Sequence, residues 1–511
     1  MRVVKVFRRS AFVQNAALLT VTSLILRVVG IFFRIYLSNR IGAEGMGLYQ
    51  LIVSVYVLAS AFAAAGICTA VTRLVTDALC RGDRATALRA LRDAVWVSAA
   101  VGVVSAAALL AAAPPIGMYL LRDVRAVPAL RVLTVSLPFM GVSSCIKGYF
   151  MARRRVSLTA RAQLLEQAVR IGVIWAVLER WPVADLAAAC AVVMAGDVIA
   201  EAVACLRLVG GFWHDRRELP PAAAPARPVM AALMGIALPV SATRYLNTAL
   251  HTVENLLVPA RLALYTGSRA VALAQFGSLK GMALPLLFFP SSFLTAVATL
   301  LIPEVSESAA LGRQGRVRAA VERTMHLTLC ASILMAGGFF LYAPQLGQWL
   351  YHSDEVGVML RALAPLLPAM YLDSMVDGLL KGLNQQVSSL KYSLVDSAVR
   401  LTMILLLVPR AGMAGFLFMM TVSNLLMAFL NVSRLLRVTN TPMQWRRWVI
   451  VPLLAVAVAA EGARFLGRIA PIAALPLPAS TAAGAAVLCG MYALLLLAWG
   501  VLTRRDLTPA L

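Results

Sequence analysis

Arg27 and Arg34 stand seven residues apart inside "LILRVVGIFFRIYLSNRIGAEG", residues 24–45, and with Thr20 and Ser23 they fall along one face of a helix. The pattern recurs in "SATRYLNTALHTVENLLVP", where Arg244, Asn247, His251 and Glu254 follow at intervals of three, four and three. A guanidinium is always charged and offers a planar fork of donors that matches phosphate oxygens. The chemistry that suits these stripes is therefore the holding of a phosphate or diphosphate. The structural reading stays open beside it: the arginines pair with carboxylates of neighbouring helices, Glu254 among them, or Arg34 extends its head to the membrane surface. No acid precedes Glu44, so a partner for Arg27 has to come from another helix.

Further ionisable residues sit in apolar surroundings. Asp197 with Glu201, and Asp373 with Asp377, are candidate sodium or proton sites, or members of structural pairs. Lys147 and Lys381 lie near helix ends, where they either reach the interface or form a cationic cytoplasmic entrance for a head-group. Glu166/Arg170 and Asp396/Arg400 are spaced four apart, as local charge compensation on one helix requires. Lys280, in "FGSLKGMALPLLFFP", joins the substrate-binding candidates because the sequence offers it no partner, and Pro285 and Pro290 should bend the helix that carries it.

Catalysis finds little support. The acids of the outer loops (Glu44, Asp123, Glu179, Asp185, Asp354, Glu355) are sparse, and "YHSDE" at 351–355 reads as a solvated loop. There is no glycine-rich phosphate loop. The 4 histidines form no cluster, and the 7 cysteines are scattered without a CxxC. Neither disulfides, zinc, another metal nor an organic cofactor is expected. Energy would come from the membrane potential or from a sodium or proton gradient.

The elements that must position these residues follow from composition. The chain is 61% hydrophobic and 14% charged, with a mean hydropathy of +0.82, whereas soluble domains carry about 25% charged residues. Apolar runs of bilayer length recur throughout, which makes it an all-α polytopic membrane protein with about fourteen transmembrane helices. The spans read 12–38, 46–72, 93–113, 128–150, 161–179, 185–206, 230–258, 271–302, 322–343, 361–382, 389–409, 412–433, 447–466 and 481–502. The net charge of +24 does not indicate nucleic acid, because most of the 47 Lys and Arg collect on one side of this topology. By the positive-inside rule both termini are then cytoplasmic. "MRVVKVFRRS" leads into an apolar run too long for a signal peptide and reads as an uncleaved first span.

The chain also repeats itself. "KGYFMARRRVSLTARAQLLEQAVRIGVIW" from Lys147 resembles "KGLNQQVSSLKYSLVDSAVRLTMIL" from Lys381, with "EQAVRI" (166–171) matching "DSAVRL" (396–401) at a shift of 230. The same shift places Arg207 on Arg437, and matching Lys147-Gly148 to Lys381-Gly382 calls for a four-residue insertion around "RRRV". A unit of six spans returns the chain to the same side, so the repeat is parallel: two six-helix lobes facing each other across a central cavity. The expected organisation is an N-terminal lobe (1–210), a Pro/Ala-rich cytoplasmic linker (211–229), a C-terminal lobe (230–438) and a C-terminal helix pair (439–511).

Four stretches carry a family resemblance: "RIGAEGMGLYQLI" (40–52), "VENLLVPARL" (253–262), "GMALPLLFFPSS" (281–292) and "YLDSMVDGLLKGLNQQ" (371–386). In these the chain resembles the stage V sporulation protein B family of the multidrug/oligosaccharidyl-lipid/polysaccharide exporter superfamily, related to the lipid II flippases. The resemblance implies a V-shaped cavity between the lobes, a location in the bacterial cytoplasmic membrane and the transport of lipid-linked envelope precursors, spore cortex peptidoglycan by association. It makes Arg27, in "LRVVG", the counterpart of an essential substrate arginine, and gives the last two spans a groove for the polyprenyl tail. The chain departs from lipid II flippases at Phe33-Arg34, where they carry an Arg-Asp pair. The expected function is a flippase that moves an undecaprenyl-diphosphate-linked saccharide from the inner to the outer leaflet by alternating access, with membrane lipids and cell-wall synthases as partners. The alternatives are a cation-coupled exporter of drugs or small molecules, against which the acid-free first span counts, and a non-transporting scaffold for cell-wall synthesis.

Overall fold

The computed structural model describes residues 2–64, 66–180, 185–217, 228–467 and 476–502, with side chains described outside 2–17, 243, 296–304 and 466–467. Among these residues every regular element is helical. The linker expected at 211–229 falls largely outside the described residues; its first part, to Arg217, continues a helix.

Among the described residues nine helices are long and apolar enough to cross a membrane, or ten if a bent pair counts as one span. That pair is α4 (Ala126–Thr134) and α5 (Ser136–Ala152), bent by 43°. The distance from the fourteen expected spans has physical reasons. Helix α1 (Arg2–Ala64) runs through two of them, interrupted at Gly42 by a left-handed φ of 70°. Three further helices reach bilayer length but carry charges that lower their apolarity: α6 (Val156–Arg180), α8 (Met230–Thr266) and α15 (Gln386–Leu406). Those are the helices bearing Glu166 and Arg170, the Arg244 stripe, and Asp396 and Arg400.

The chain forms two compact units, Met1–Phe33 with Glu44–Leu257, and Arg34–Ala43 with Val258–Leu511. In the first unit a stripe of small residues on α3 (Arg84–Pro115) lets another helix approach closely, the usual device where lipid offers no hydrophobic drive to association. Ala87, Ala94, Ser98 and Gly102 on α3 are all buried. A Cβ on Gly102 would lie 2.8 Å from Cα of Pro138, and one on Gly141 would lie 2.9 Å from the Ser98 carbonyl. Ser98 itself donates to the Ala63 carbonyl of α1 at 3.0 Å. Val71 and Val75 of α2 (Ile67–Cys80) pack with Tyr149 and Phe150 of α5 and with Leu208 of α7 (Leu186–Arg217) to form the core.

In the second unit the prolines act as expected. Helix α9 (Arg269–Gly277) passes into a π-helical turn over Ser278–Ala283 before α10 (Leu284–Phe288), where Pro285 supplies no N–H to the preceding turn. Pro290 precedes α11 (Ser291–Ala310). Helix α12 (Gln314–Tyr351) turns back into α13 (Asp354–Leu363) so tightly that a Cβ on Gly347 would sit 2.6 Å from the Gly357 nitrogen. Gly347→Val should therefore destabilise this unit by at least about 1–3 kcal/mol, the usual cost of overpacking. Its thermal unfolding in detergent, compared with wild type, checks this; an unchanged midpoint would contradict the packing described. After α14 (Leu367–Gly382), α15 and α16 (Val408–Thr439), the C-terminal pair α17 (Val451–Gly467) and α18 (Leu477–Ala498) packs on α12. The pair is pinned there by polar bonds, with the His326 ring 3.0 Å from the Val501 carbonyl and the Tyr492 hydroxyl donating to the Cys330 carbonyl at 2.8 Å.

The backbone fixes the register between the two halves. Left-handed residues at Gly82, Arg122 and Arg154 recur at Gly312, His352 and Asn384, each 230 residues on. Helix ends agree, Ala152 with Gly382. This corrects the alignment of Lys147 with Lys381: at a constant shift Lys147 corresponds to Asp377, one helical turn earlier, and no insertion is needed.

Candidate functional site

On α1, Arg27 is exposed, as a ligand-holding arginine needs to be. Arg34 falls in the second unit: residues 34–43 group with Val258–Leu511. There Arg34 acts electrostatically on Tyr351, and Asn39 donates to the Leu350 carbonyl at 3.0 Å. Arg27 and Arg34 lie on one continuous helical stretch of α1, whose break comes only at Gly42.

Helix α8 is held against the second half of α1 by Thr252 donating to the Ser54 carbonyl at 3.2 Å and Asn255 donating to Ser54 Oγ at 3.0 Å. The Tyr245 and Phe62 rings lie 4.6 Å apart, centre to centre. From this platform Arg244 and His251 are exposed and Asn247 is half-buried, its Oδ1 lacking a hydrogen-bond partner among the described residues. Glu254 is buried, with His251 Nδ1 3.8 Å from its carboxylate. Lys147 of α5 and Arg244 of α8 both act electrostatically on the Cys68 thiol. In the second unit Lys280 is half-buried in the π-helical turn, and it is not isolated there.

The intramembrane acids divide into two kinds. Arg170 of α6 binds Asp197 at 2.6 Å and Glu166 at 2.9 Å, and donates to Gln167 at 2.9 Å. Asp377 is tied to Lys381 at 2.5 Å and to the Ser389 hydroxyl. Asp396 accepts from Ser423 at 2.6 Å with Arg400 at 3.9 Å. These are ion pairs, the structural alternative. Glu201 and Asp373 are different. Glu201 is 8% exposed, beside Ser143 and Lys147, and its Oε1 has no hydrogen-bond partner among the described residues. Asp373 accepts from Asn431 Nδ2 at 2.7 Å, and the Oδ1 of Asn431 is likewise without a partner among those residues.

At the shift of 230, Ser143 corresponds to Asp373 and Glu201 to Asn431. Each half therefore places one acid and one neutral polar side chain where α5 faces α7, or α14 faces α16, with the acid on opposite partners. Ser143 and Asn431 are missed by a search for charges alone; aligning the halves at the backbone's register finds them. Also missed is Asp215, which is 1% exposed and gathers the Tyr149 hydroxyl at 2.7 Å, Arg153 at 3.1 Å and Arg155 at 2.5 Å. Its signal is an acid within a basic helix end, opposite "RRR". The loop acids are engaged as well, Glu44 and Asp123 both with Arg125 at 2.7 and 2.8 Å.

A sequence profile described as "Polysaccharide biosynthesis protein" matches residues 12–309. Among curated proteins, the stage V sporulation protein B of Bacillus subtilis is 24% identical over 449 residues, covering 86% of this chain and 87% of that one. The lipid II flippase MurJ of the same organism is 22% identical over 431 residues, 77% of each chain. Among solved structures, lipid II flippase MurJ in an inward closed conformation aligns with a TM-score of 0.66 at 10% identity, over 94% of this chain and 98% of its own. An inward-facing multidrug resistance MATE family transporter of the MOP superfamily aligns at 0.61 and 14% identity, over 82% and 100%. The fold is that of these transporters.

Proposed function

The chain belongs to the polysaccharide biosynthesis protein family, and from that premise we propose that this multi-pass membrane flippase moves a polyprenyl-diphosphate-linked saccharide from the inner to the outer leaflet. The observation that carries the reading is Arg27: an exposed arginine, with contacts of its own in the protein, placed within a bilayer-length helix. A fixed cation there suits a diphosphate and repels the cationic drugs of a multidrug exporter. Arg244, exposed on α8 with Lys147 in its neighbourhood, adds positive charge to the same unit. The basic residues orient both termini to the cytoplasm of a bacterial cell. An inside-negative potential then favours outward movement of an anion by roughly 2.3 kcal/mol per charge per 100 mV.

Ion coupling, where it contributes, falls to Glu201 and Asp373. Asp197 and Asp377 are committed to Arg170 and Lys381, whereas Glu201 and Asp373 make no ion pair among the described residues, and Glu201 Oε1 and Asn431 Oδ1 leave buried oxygens for a proton or sodium ion. Peptidoglycan precursors, including those of the spore cortex, are the saccharide class that the similarity to stage V sporulation protein B suggests.

The test is transport in proteoliposomes of a polyprenyl-diphosphate saccharide labelled on its sugar. Arg27→Ala and Arg244→Ala should each slow movement by about thirtyfold or more, since truncating one member of a desolvated charge contact costs roughly 2–5 kcal/mol. Arg27→Lys should retain part of the rate, keeping the charge without the fork. Variants that fold, insert and flip at the wild-type rate would overturn the assignment to these arginines, and wild-type movement no faster than in protein-free vesicles would favour the scaffold reading.

A further inference from the structure

At the end of the first unit where α3 begins and α7 ends lies a groove of about 600 Å³ between α3, α5 and α7. Its wall is apolar, with Leu88 and Val95 from α3, Ile146 from α5 and Phe212 from α7. Three arginines, Arg89, Arg92 and Arg216, ring its mouth. Among the described residues one carboxylate pairs with them, Asp93, 3.6 Å from Arg89 and 3.3 Å from Arg92. Asp215, next in sequence to Arg216, is taken by Arg153 and Arg155. The mouth is therefore net positive. The Arg216 guanidinium lies over the Trp213 ring at 5.7 Å, and Trp213 and Trp96 are 57% and 71% exposed. Exposed tryptophans with arginines at the end of apolar helices mark the level of lipid head-groups.

We propose that this groove binds one anionic glycerophospholipid, with an acyl chain along Leu88, Val95, Ile146 and Phe212 and the phosphate held by Arg89, Arg92 and Arg216. Three features select that occupant over a soluble anion or a protein segment. The apolar wall needs a hydrocarbon partner, the mouth needs an anion, and the tryptophans put the junction of the two at head-group depth. The site is separate from Arg27 and Arg244 and does not depend on their role.

Native mass spectrometry of the full chain, released from detergent with dioleoylphosphatidylglycerol or the matched phosphatidylcholine, tests this. Wild type should retain one phosphatidylglycerol in clear preference to phosphatidylcholine. Removing arginines (Arg89→Gln, Arg92→Gln, Arg216→Gln) should lower retention by about fivefold per residue, from the roughly 1 kcal/mol that each basic residue contributes near an anionic surface. Val209→Trp, which fills the groove and leaves the arginines, should lower it too. Equal retention of the two lipids by wild type would overturn the proposal even if the arginine variants fail to fold. Retention unchanged in either variant class, or displacement of phosphatidylglycerol by equimolar polyprenyl phosphate, would also overturn it.

Discussion

Asp215→Ala is expected to destabilise the first unit by about 3 kcal/mol, the low end of the range for breaking a buried ion pair. The carboxylate is 1% exposed and is the common acceptor for Tyr149, Arg153 and Arg155, which come from the end of α5 and the turn after it. Its loss leaves a buried hydroxyl unsatisfied and two guanidiniums facing each other. Arg153 and Arg155 are 20% and 41% exposed, so water reaches them and holds the cost toward the low end. Asp215→Asn should lie between, since it keeps an acceptor for Tyr149 and loses the charge. Chemical or thermal unfolding in detergent reads this, and an Asp215→Ala protein as stable as wild type would show that the cluster contributes nothing.

Arg170→Met is the second large effect, about 3–5 kcal/mol, because it leaves Asp197 and Glu166 in the bilayer without their counter-charge. The decisive comparison adds Glu166→Gln and Asp197→Asn to the same chain. If the cluster is structural, the triple variant recovers most of the lost stability and continues to transport, because an apolar or neutral replacement of a whole buried ion cluster is often tolerated. Should Asp197→Asn alone abolish transport while unfolding as wild type does, Asp197 would be a coupling site and the division between paired and available acids would fail.

The sequence makes the helical membrane class and the six-span repeat legible, because both rest on hydropathy and on matches such as "EQAVRI" with "DSAVRL". The register is less visible. A four-residue slip along a helix returns side chains to nearly the same face, so Lys147-Gly148 and Lys381-Gly382 align plausibly one turn away from the true correspondence. The residues that settle it are left-handed Arg154 and Asn384, and arginine carries no preference for that geometry. A long-range contact is equally hidden: Asn39 donates to the Leu350 carbonyl and residues 34–43 group with the second unit, and nothing local announces a contact so far along the chain. The ion pairs of spacing four are readable; Arg170 with Asp197, Asp373 with Asn431 and the Asp215 cluster join different helices and emerge only from packing.

The central claim is that this chain carries a lipid-linked diphosphate outward across the membrane. The most direct measurement is the appearance of sugar-labelled polyprenyl-diphosphate saccharide on the outer leaflet of vesicles holding the wild-type chain in one orientation, with the potential set first inside-negative and then reversed. The account predicts movement well above that of protein-free vesicles, with the outer leaflet enriched under the inside-negative potential by a factor of about fifty per charge per 100 mV at equilibrium. Movement no faster than in protein-free vesicles under either potential would contradict it.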